Sequence, residues 1–276
     1  MSTTSPAPSA SRRTWAWVVV ACVVVVAVVV AVIWATRPDD DAATPAPTSS
    51  TTTVTETTPA QTPTTTESTS AAPTGCAPTD ETAPEGADVV EVVDVDGDGR
   101  EDQGWISGGA GRRFGITTAS GATFSTTIES ASPEPAAAVV QVIQQDLIPI
   151  ALVDTGREAL LYSLADCAVT PVQNAQGQPY TFDRGFGGAG TGVGCTEVDG
   201  VLRLAGLNAV SDDDGETFDV TRTYVDLDAD GRHATNGEPE QVATGAPKAN
   251  AVVTTAQEVS CGELVAGKDG PVEPLS

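Results

Sequence analysis

The chain changes its hydrophobic pattern three times. Residues 15–35, WAWVVVACVVVVAVVVAVIWA, run for 21 positions without a charge. From 39 to 75 large apolar residues all but vanish. From Cys76 onward, apolar and polar residues alternate in short runs broken by Gly, Asp and Ser. These patterns predict a membrane helix, an unfolded linker and a β-domain, in that order.

The alternation after Cys76 is specific enough to place hairpins. RRFGITTASGATFSTTIES is interrupted by Ser120-Gly121, and IPIALVDTGREALLYSLADCAV by Asp154-Thr155-Gly156. CTEVDGVLRLAGL carries Asp199-Gly200 between two alternating runs, the residues favoured in a two-residue type I′ turn. NAVSDDDGETFDVTRTYVDLD gives two more strands around an acidic turn. In AAAVVQVIQQDLI, 136–148, three Ala permit a helix, but Val-rich alternation and Pro149 favour a strand. About ten to twelve short strands joined by tight turns make an all-β domain of antiparallel meanders.

The apolar run spans roughly 31 Å as a helix, the thickness of a bilayer core. Val is a mediocre helix former in water. In lipid the backbone must satisfy its own hydrogen bonds, so the helix forms regardless. Trp15, Trp17 and Trp34 sit at the two ends, Arg12 and Arg13 precede the run, and Asp39, Asp40 and Asp41 follow it. The positive-inside bias puts residues 1–14 in the cytoplasm as a short head. The rest is then extracellular, and the protein is a single-pass membrane protein of the cell envelope. A cleaved signal peptide would have a shorter apolar core and a small residue where Trp34 stands. Cys22 is followed by more Val and reads as one more small apolar residue in the span.

Residues 36–75 read as a disordered stalk. From 39 to 75 there are 14 Thr, 5 Pro and 4 Ser, too little apolar surface to fold. Thr and Ser with Pro is the composition of extended, O-glycosylated stalks. Fully polyproline-like, this stretch reaches at most roughly 115 Å. The β-domain is then 76–268, with 269–276 as a tail.

Charge narrows the partners. Five of 38 acidic and three of 13 basic residues precede Cys76, leaving 33 and 10 after it, a net charge of −23. Such a surface repels nucleic acid and favours cations. Four cysteines remain outside the span, Cys76, Cys167, Cys195 and Cys261. In an extracellular domain they read as two disulfides with three possible connectivities. The favoured pairing is Cys167–Cys195 as a local staple and Cys76–Cys261 as a clasp between the ends. No CxxC is present to suggest a zinc or thiol-redox site.

The densest chemistry is DVDGDGRED, residues 94–102. Counting Asp94 as position 1, carboxylates fall at 1, 3, 5 and 9 (Asp94, Asp96, Asp98, Asp102). The Arg100 carbonyl stands at 7 and Gly99 at 6. This spacing wraps oxygens around Ca²⁺. Without a cation, carboxylates held within a few ångströms repel. An EF-hand needs a Glu at position 12 and helices on both sides, whereas Trp105 occupies position 12 and the flanks DVVEVV and QGWISG read as strands.

Asp94, Asp96, Asp98, Gly99 and Asp102 follow the Asp-x-Asp-x-Asp-Gly-x-x-Asp order of the calcium loop in FG-GAP/VCBS repeats. The stretch from Val89 to Gly109 resembles that family. The resemblance implies a propeller-like blade and a structural Ca²⁺, with the Arg100 carbonyl as a further ligand. A second loop, DLDADGRHATNGE, puts Asp226, Asp228 and Asp230 in the same phase, Gly231 at 6 and the Arg232 carbonyl at 7. It has Ala234 at position 9 and is the weaker metal candidate. Asp212, Asp213 and Asp214 lack alternate spacing and read as a solvated turn.

Signals for catalysis are poor. His233 is the one histidine, in the second acidic loop, and there is no GxSxG. GFGGAGTGVG, 185–194, lacks the following Lys-Ser/Thr of a phosphate loop and reads as a surface loop. The expectation is therefore a non-enzymatic, calcium-binding, disulfide-bonded extracellular domain with a binding, adhesion or structural role. A cell-wall polymer or a surface protein is the partner class it would meet. The alternative is a tethered hydrolase that cuts cell-wall polysaccharide through an Asp/Glu pair.

Overall fold

The computed structural model describes residues 75–109, 111–144, 146–185, 191–211 and 214–275. The expected head, membrane helix and stalk up to residue 74 lie outside the described residues. So do Asp212, Asp213 and residues 186–190 of the glycine-rich loop. No helix among the described residues is long and apolar enough to cross a membrane.

The described chain is all-β, as the alternation predicts. Sheet one is a meander of β1 (Asp88–Val92), β2 (Asp102–Ser107), β3 (Arg113–Thr117) and β4 (Thr123–Thr127). Sheet two follows as β5 (Ala137–Ile143), β6 (Ile148–Asp154), β7 (Glu158–Ser163) and β8 (Thr170–Pro171), with β9 (Thr181–Asp183) also on β7. Sheet three contains β10 (Thr191–Val198), β11 (Val201–Val210), β12 (Thr217–Leu227) and β13 (Ala234–Asn236). There β14 (Glu240–Pro247) is a second partner of β12. A short pair, β15 (Ser260–Cys261) and β16 (Leu264–Val265), follows helix α1 (Ala251–Thr255). Every pairing between these strands is antiparallel. Asp199 and Gly200 both have positive φ, 53° and 80°, and Val198 pairs with Val201, as a two-residue I′ turn requires.

Sheet two lies between the other two. On one face, cross-strand neighbours Ala138, Val153 and Leu160, and Val140, Ala151 and Tyr162, meet Ile106, Phe114, Ile116 and Phe124 of sheet one. On the other face, Val139, Leu152 and Leu161 meet Val193, Leu204 and Val225 of sheet three. A strand buried on both sides needs apolar residues at consecutive positions, so IPIALV and ALLY are runs rather than alternations. Each fully buried Val, Leu, Ile or Phe among them contributes about 1.5–3 kcal/mol by leaving water. A third cluster, Leu207, Phe218 and Val220 with Val253 and Ala256, lies where α1 packs on sheet three. Asn250 caps that helix by accepting the Val252 amide at 3.0 Å.

Two expectations need correction. The disulfides are Cys76–Cys167 and Cys195–Cys261, not Cys167–Cys195 and Cys76–Cys261. Proximity in sequence was the wrong guide, because stacking decides the neighbours. Cys76 is buried in the core shared by sheets one and two, whereas Cys195 on β10 and Cys261 on β15 share the core of sheets two and three. Val193 also bridges Val259 between those two segments.

Within the segment read as a tail, residues 271–273 are bound to the β-domain. Ala138 donates its amide to the Pro271 carbonyl (3.0 Å), Glu273 donates to Ala136 (2.7 Å), and Val272 donates to Asp88 Oδ2 (2.7 Å). The Glu273 carboxylate accepts the Ala136 amide and pairs with Arg112 at 3.1 Å, both side chains being largely buried. The segment therefore ties the edge of β5 to β1.

Non-reducing peptide mapping is expected to recover Cys76–Cys167 and Cys195–Cys261 and no free thiol among the four. Closing loops of 91 and 66 residues, each bond is expected to stabilise by about 2–5 kcal/mol. Denaturant midpoints of the Cys76→Ser/Cys167→Ser and Cys195→Ser/Cys261→Ser pairs measure this.

Candidate functional site

The 94–102 loop joins β1 to β2 inside a hairpin, so the strand flanks read from the sequence are correct. Gly97 and Gly99 have φ of 72° and 85°, a region L-residues rarely occupy, and this turns the loop back on itself. The turn brings one carboxylate oxygen each from Asp94, Asp96 and Asp102 within 4.8 Å of one another. Among the described residues this is the one group of three or more such ligands so close.

Three like charges at that range repel by roughly 3–4 kcal/mol per pair at an effective dielectric constant of about 20. The fold opposes this with hydrogen-bond donors. Asp94 accepts the amides of Gly97 (2.7 Å) and Gly99 (2.8 Å). Asp96 accepts the Cys76 amide (2.8 Å), the Ser120 hydroxyl (2.7 Å) and the Asp98 amide (3.3 Å). Asp102, only 1% exposed, accepts Val95 (2.8 Å) through one oxygen and Ala119 (2.8 Å) through the other. A carboxylate oxygen has two lone pairs, so one amide on an oxygen leaves capacity for a cation.

The balance differs between the acids. Burial pushes the Asp96 carboxyl up, but bonds from the Cys76 amide and the Ser120 hydroxyl, with Asp98 and Thr118, hold it below the ordinary value. Burial also pushes Asp102 up. Its two amide partners oppose this, the charges of Asp96 and Asp94 reinforce it, and the net direction is upward. Of these two, Asp102 is the one whose ionisation its surroundings oppose.

Asp98 is held differently. Its carboxylate accepts its own turn amide from Arg100 (2.9 Å) and the Arg100 guanidinium Nε (3.0 Å). Asp98 therefore carries its own counter-ion, and Arg100 enters the loop through its guanidinium as well as its backbone.

The second acidic loop, between β12 and β13, does not converge. Asp226 lies on β12 and pairs with Arg203 at 2.7 Å. Asp228 accepts Arg232 (2.7 Å) and His233 (3.1 Å) amides and meets His233 Nδ1 at 2.7 Å. Asp230 is exposed, and the Arg232 guanidinium reaches Asp166 at 2.8 Å. A Cβ on Gly231 would meet Ile148 and Ser163 at 2.7 and 2.9 Å, so this glycine serves close packing on sheet two.

Two supports of the first loop were not evident from the spacing. Ser120 of the β3–β4 hairpin and the backbone at Cys76 both hold Asp96. A Cβ on Gly75 would come within 2.7 Å of Asp96 Oδ2 and 2.9 Å of the Asp98 and Ser120 Cβ atoms. The Gly-Cys pair at the start of the domain was the available signal. Comparison with family models, with curated proteins and with solved structures finds no match for the chain.

Asp102→Asn is expected to lower stability by about 1–3 kcal/mol, because one amide of Asn must face a backbone N–H. Urea unfolding measures it. The pH dependence has two opposite parts. The stability from Asp96 is complete above the ordinary carboxylate range and is lost as pH falls through its depressed value. The destabilisation from Asp102 is complete above its elevated value and absent below the unfolded one, near about pH 4. A divalent cation favours the ionised forms. If the loop holds Ca²⁺, the resulting rise in Tm is expected to be larger at pH 7 than at pH 4.

Proposed function

We propose that this protein is a single-pass, envelope-anchored protein that presents a calcium-stabilised β-domain for a binding, adhesion or structural role. The convergence of Asp94, Asp96 and Asp102 carries the reading. Their oxygens are held by backbone amides on a hairpin loop, which suits a hard cation taking several oxygens at once. Three consecutive antiparallel meanders packed face to face are the kind of unit from which a propeller-like domain is assembled, which agrees with the FG-GAP/VCBS-like order of the loop. Two disulfides fit an extracellular domain. The charge-free run at 15–35 supplies the anchor, and the Thr/Pro-rich stretch holds the domain away from the membrane.

In this reading the ion is a staple rather than a signal. Extracellular modules bind Ca²⁺ at about 10⁻⁴–10⁻³ M, which suffices where free calcium is millimolar. It would relieve the repulsion at Asp102 and add its binding free energy to folding.

Residues 75–276, oxidised, have Trp105 as their one tryptophan. Titration with Ca²⁺ is expected to change its emission saturably. At ten times Kd the gain is about 1.4 kcal/mol, or roughly 3–6 °C in Tm. Asp96→Ala is expected to abolish both effects. No change in emission or Tm up to roughly 10 mM, about ten times the weakest affinity expected, would remove the calcium reading.

A further inference from the structure

The two disulfides differ in how they meet solvent and in the backbone they stand on. Cys76 is 3% exposed, in the core shared by sheets one and two. Its partner Cys167 is exposed, in a short 3₁₀ turn (Ala165–Cys167) between β7 and β8. Asp166 and Cys167 both have left-handed φ, 57° and 58°. A residue with a Cβ rarely occupies that region, and two in succession are rarer still. The Cys167 end is therefore open to a reagent and held in a disfavoured backbone conformation. By contrast, Cys261 is wholly buried, Cys195 is half-buried, and neither has a positive φ.

The buried end of the same bond meets the 94–102 loop. The Cys76 amide donates to Asp96 Oδ2 at 2.8 Å. The Cys76 carbonyl lies 2.8 Å from the Ser120 hydroxyl, which is also 2.7 Å from Asp96 Oδ2. A hydroxyl has one proton, so both acceptors together fix where Ser120 sits. Gly75 is packed so closely between the loop and the β3–β4 hairpin that it leaves no room for a Cβ. Beyond Cys76 the next described backbone anchor is Thr79, whose amide donates to Gly121 at 3.1 Å. Without the Cys76 amide, Asp96 keeps the Ser120 hydroxyl and the Asp98 amide at 3.3 Å, the longest of its bonds.

We propose that Cys76–Cys167 is a redox latch on the 94–102 loop. Intact, it pins residues 75–76 against Asp96 and Ser120. Reduced, it frees them and loosens the loop, while sheets two and three keep their packing and Cys195–Cys261 stays closed. A small dithiol is the reductant. Its thiolate attacks Cys167 Sγ, the exposed end, and the S–S bond breaks with Cys76 Sγ leaving as a thiolate. The reagent's second thiolate then displaces Cys167 Sγ from the mixed disulfide and closes the reagent's own disulfide. Two electrons pass to the protein, and the reagent's two protons end on Cys76 and Cys167. Asp166 and Cys167 are then free to leave the left-handed region, which favours the open form. The latch acts through the loop's own hydrogen bonds, so it does not rest on the calcium reading.

The test uses the full-length chain in detergent micelles with EDTA present and Cys22 alkylated beforehand. Dithiothreitol is added in steps at about pH 8, where its thiolate forms, and the new thiols are alkylated and mapped. Cys76 and Cys167 are expected to be labelled about tenfold or more faster than Cys195 and Cys261. Hydrogen exchange of the protein reduced at this one bond is then followed by mass spectrometry, below the Tm of the reduced form. Peptides covering 75–79 and 94–102 are expected to exchange about tenfold faster than in the oxidised protein, with β11 and β12 unchanged. Reoxidation is expected to restore the protection. Equal or faster opening of Cys195–Cys261 would overturn the proposal, as would unchanged protection of 94–102 once Cys76–Cys167 is open. So would loss of protection throughout the domain, which would make the bond a general staple rather than a latch. Because EDTA is present throughout, failure here is distinct from failure of the calcium reading.

Discussion

Sheet two has no face to give to water. Five of the seven residues of β6 and five of the six of β7 are buried, because sheet one covers one side and sheet three the other. Everything else is arranged around that double burial. It explains why two core clusters alternate residue by residue along the same three strands. It explains why each disulfide belongs to the margin of a stack rather than to neighbours in sequence. It also explains the return of residues 270–273 to the edge of β5, where a row of backbone groups would otherwise stand unpaired. A strongly acidic chain can fold this way because its charge is confined to turns and outer faces.

The Asp94 loop is the exception, and its energetics follow from its place in sheet one. Asp102 is the first residue of β2 and is buried there, so its carboxylate cannot move away from Asp94 and Asp96. Backbone amides compensate enough to hold Asp96 down but not Asp102. The loop is therefore held in place by its own donors, while one of its charges remains unfavourable. That combination, rigid oxygens with residual repulsion, distinguishes it from the second loop, where Arg203, His233 and the turn amides already satisfy Asp226 and Asp228.

Much of the strand order was legible, since period-two alternation and turn residues such as Asp199-Gly200 act locally. What was not legible depends on how sheets stack. The pairing of Cys76 with Cys167 requires knowing that sheet one covers sheet two. The capture of Pro271 and Glu273 requires knowing that the β5 edge is open. At the site, the spacing placed Asp94, Asp96 and Asp102 in one loop but could not tell that Arg100 would engage Asp98, nor that Asp226 would meet Arg203 and Asp228 would meet His233.

The most direct test of the calcium loop is a crystal structure grown with Ca²⁺ and measured for anomalous scattering. The account predicts a single strong peak within about 2.3–2.6 Å of oxygens from Asp94, Asp96 and Asp102. Ordered crystals in millimolar Ca²⁺ that show no peak there, with the three carboxylates bonded only to their backbone and Ser120 donors, would contradict it.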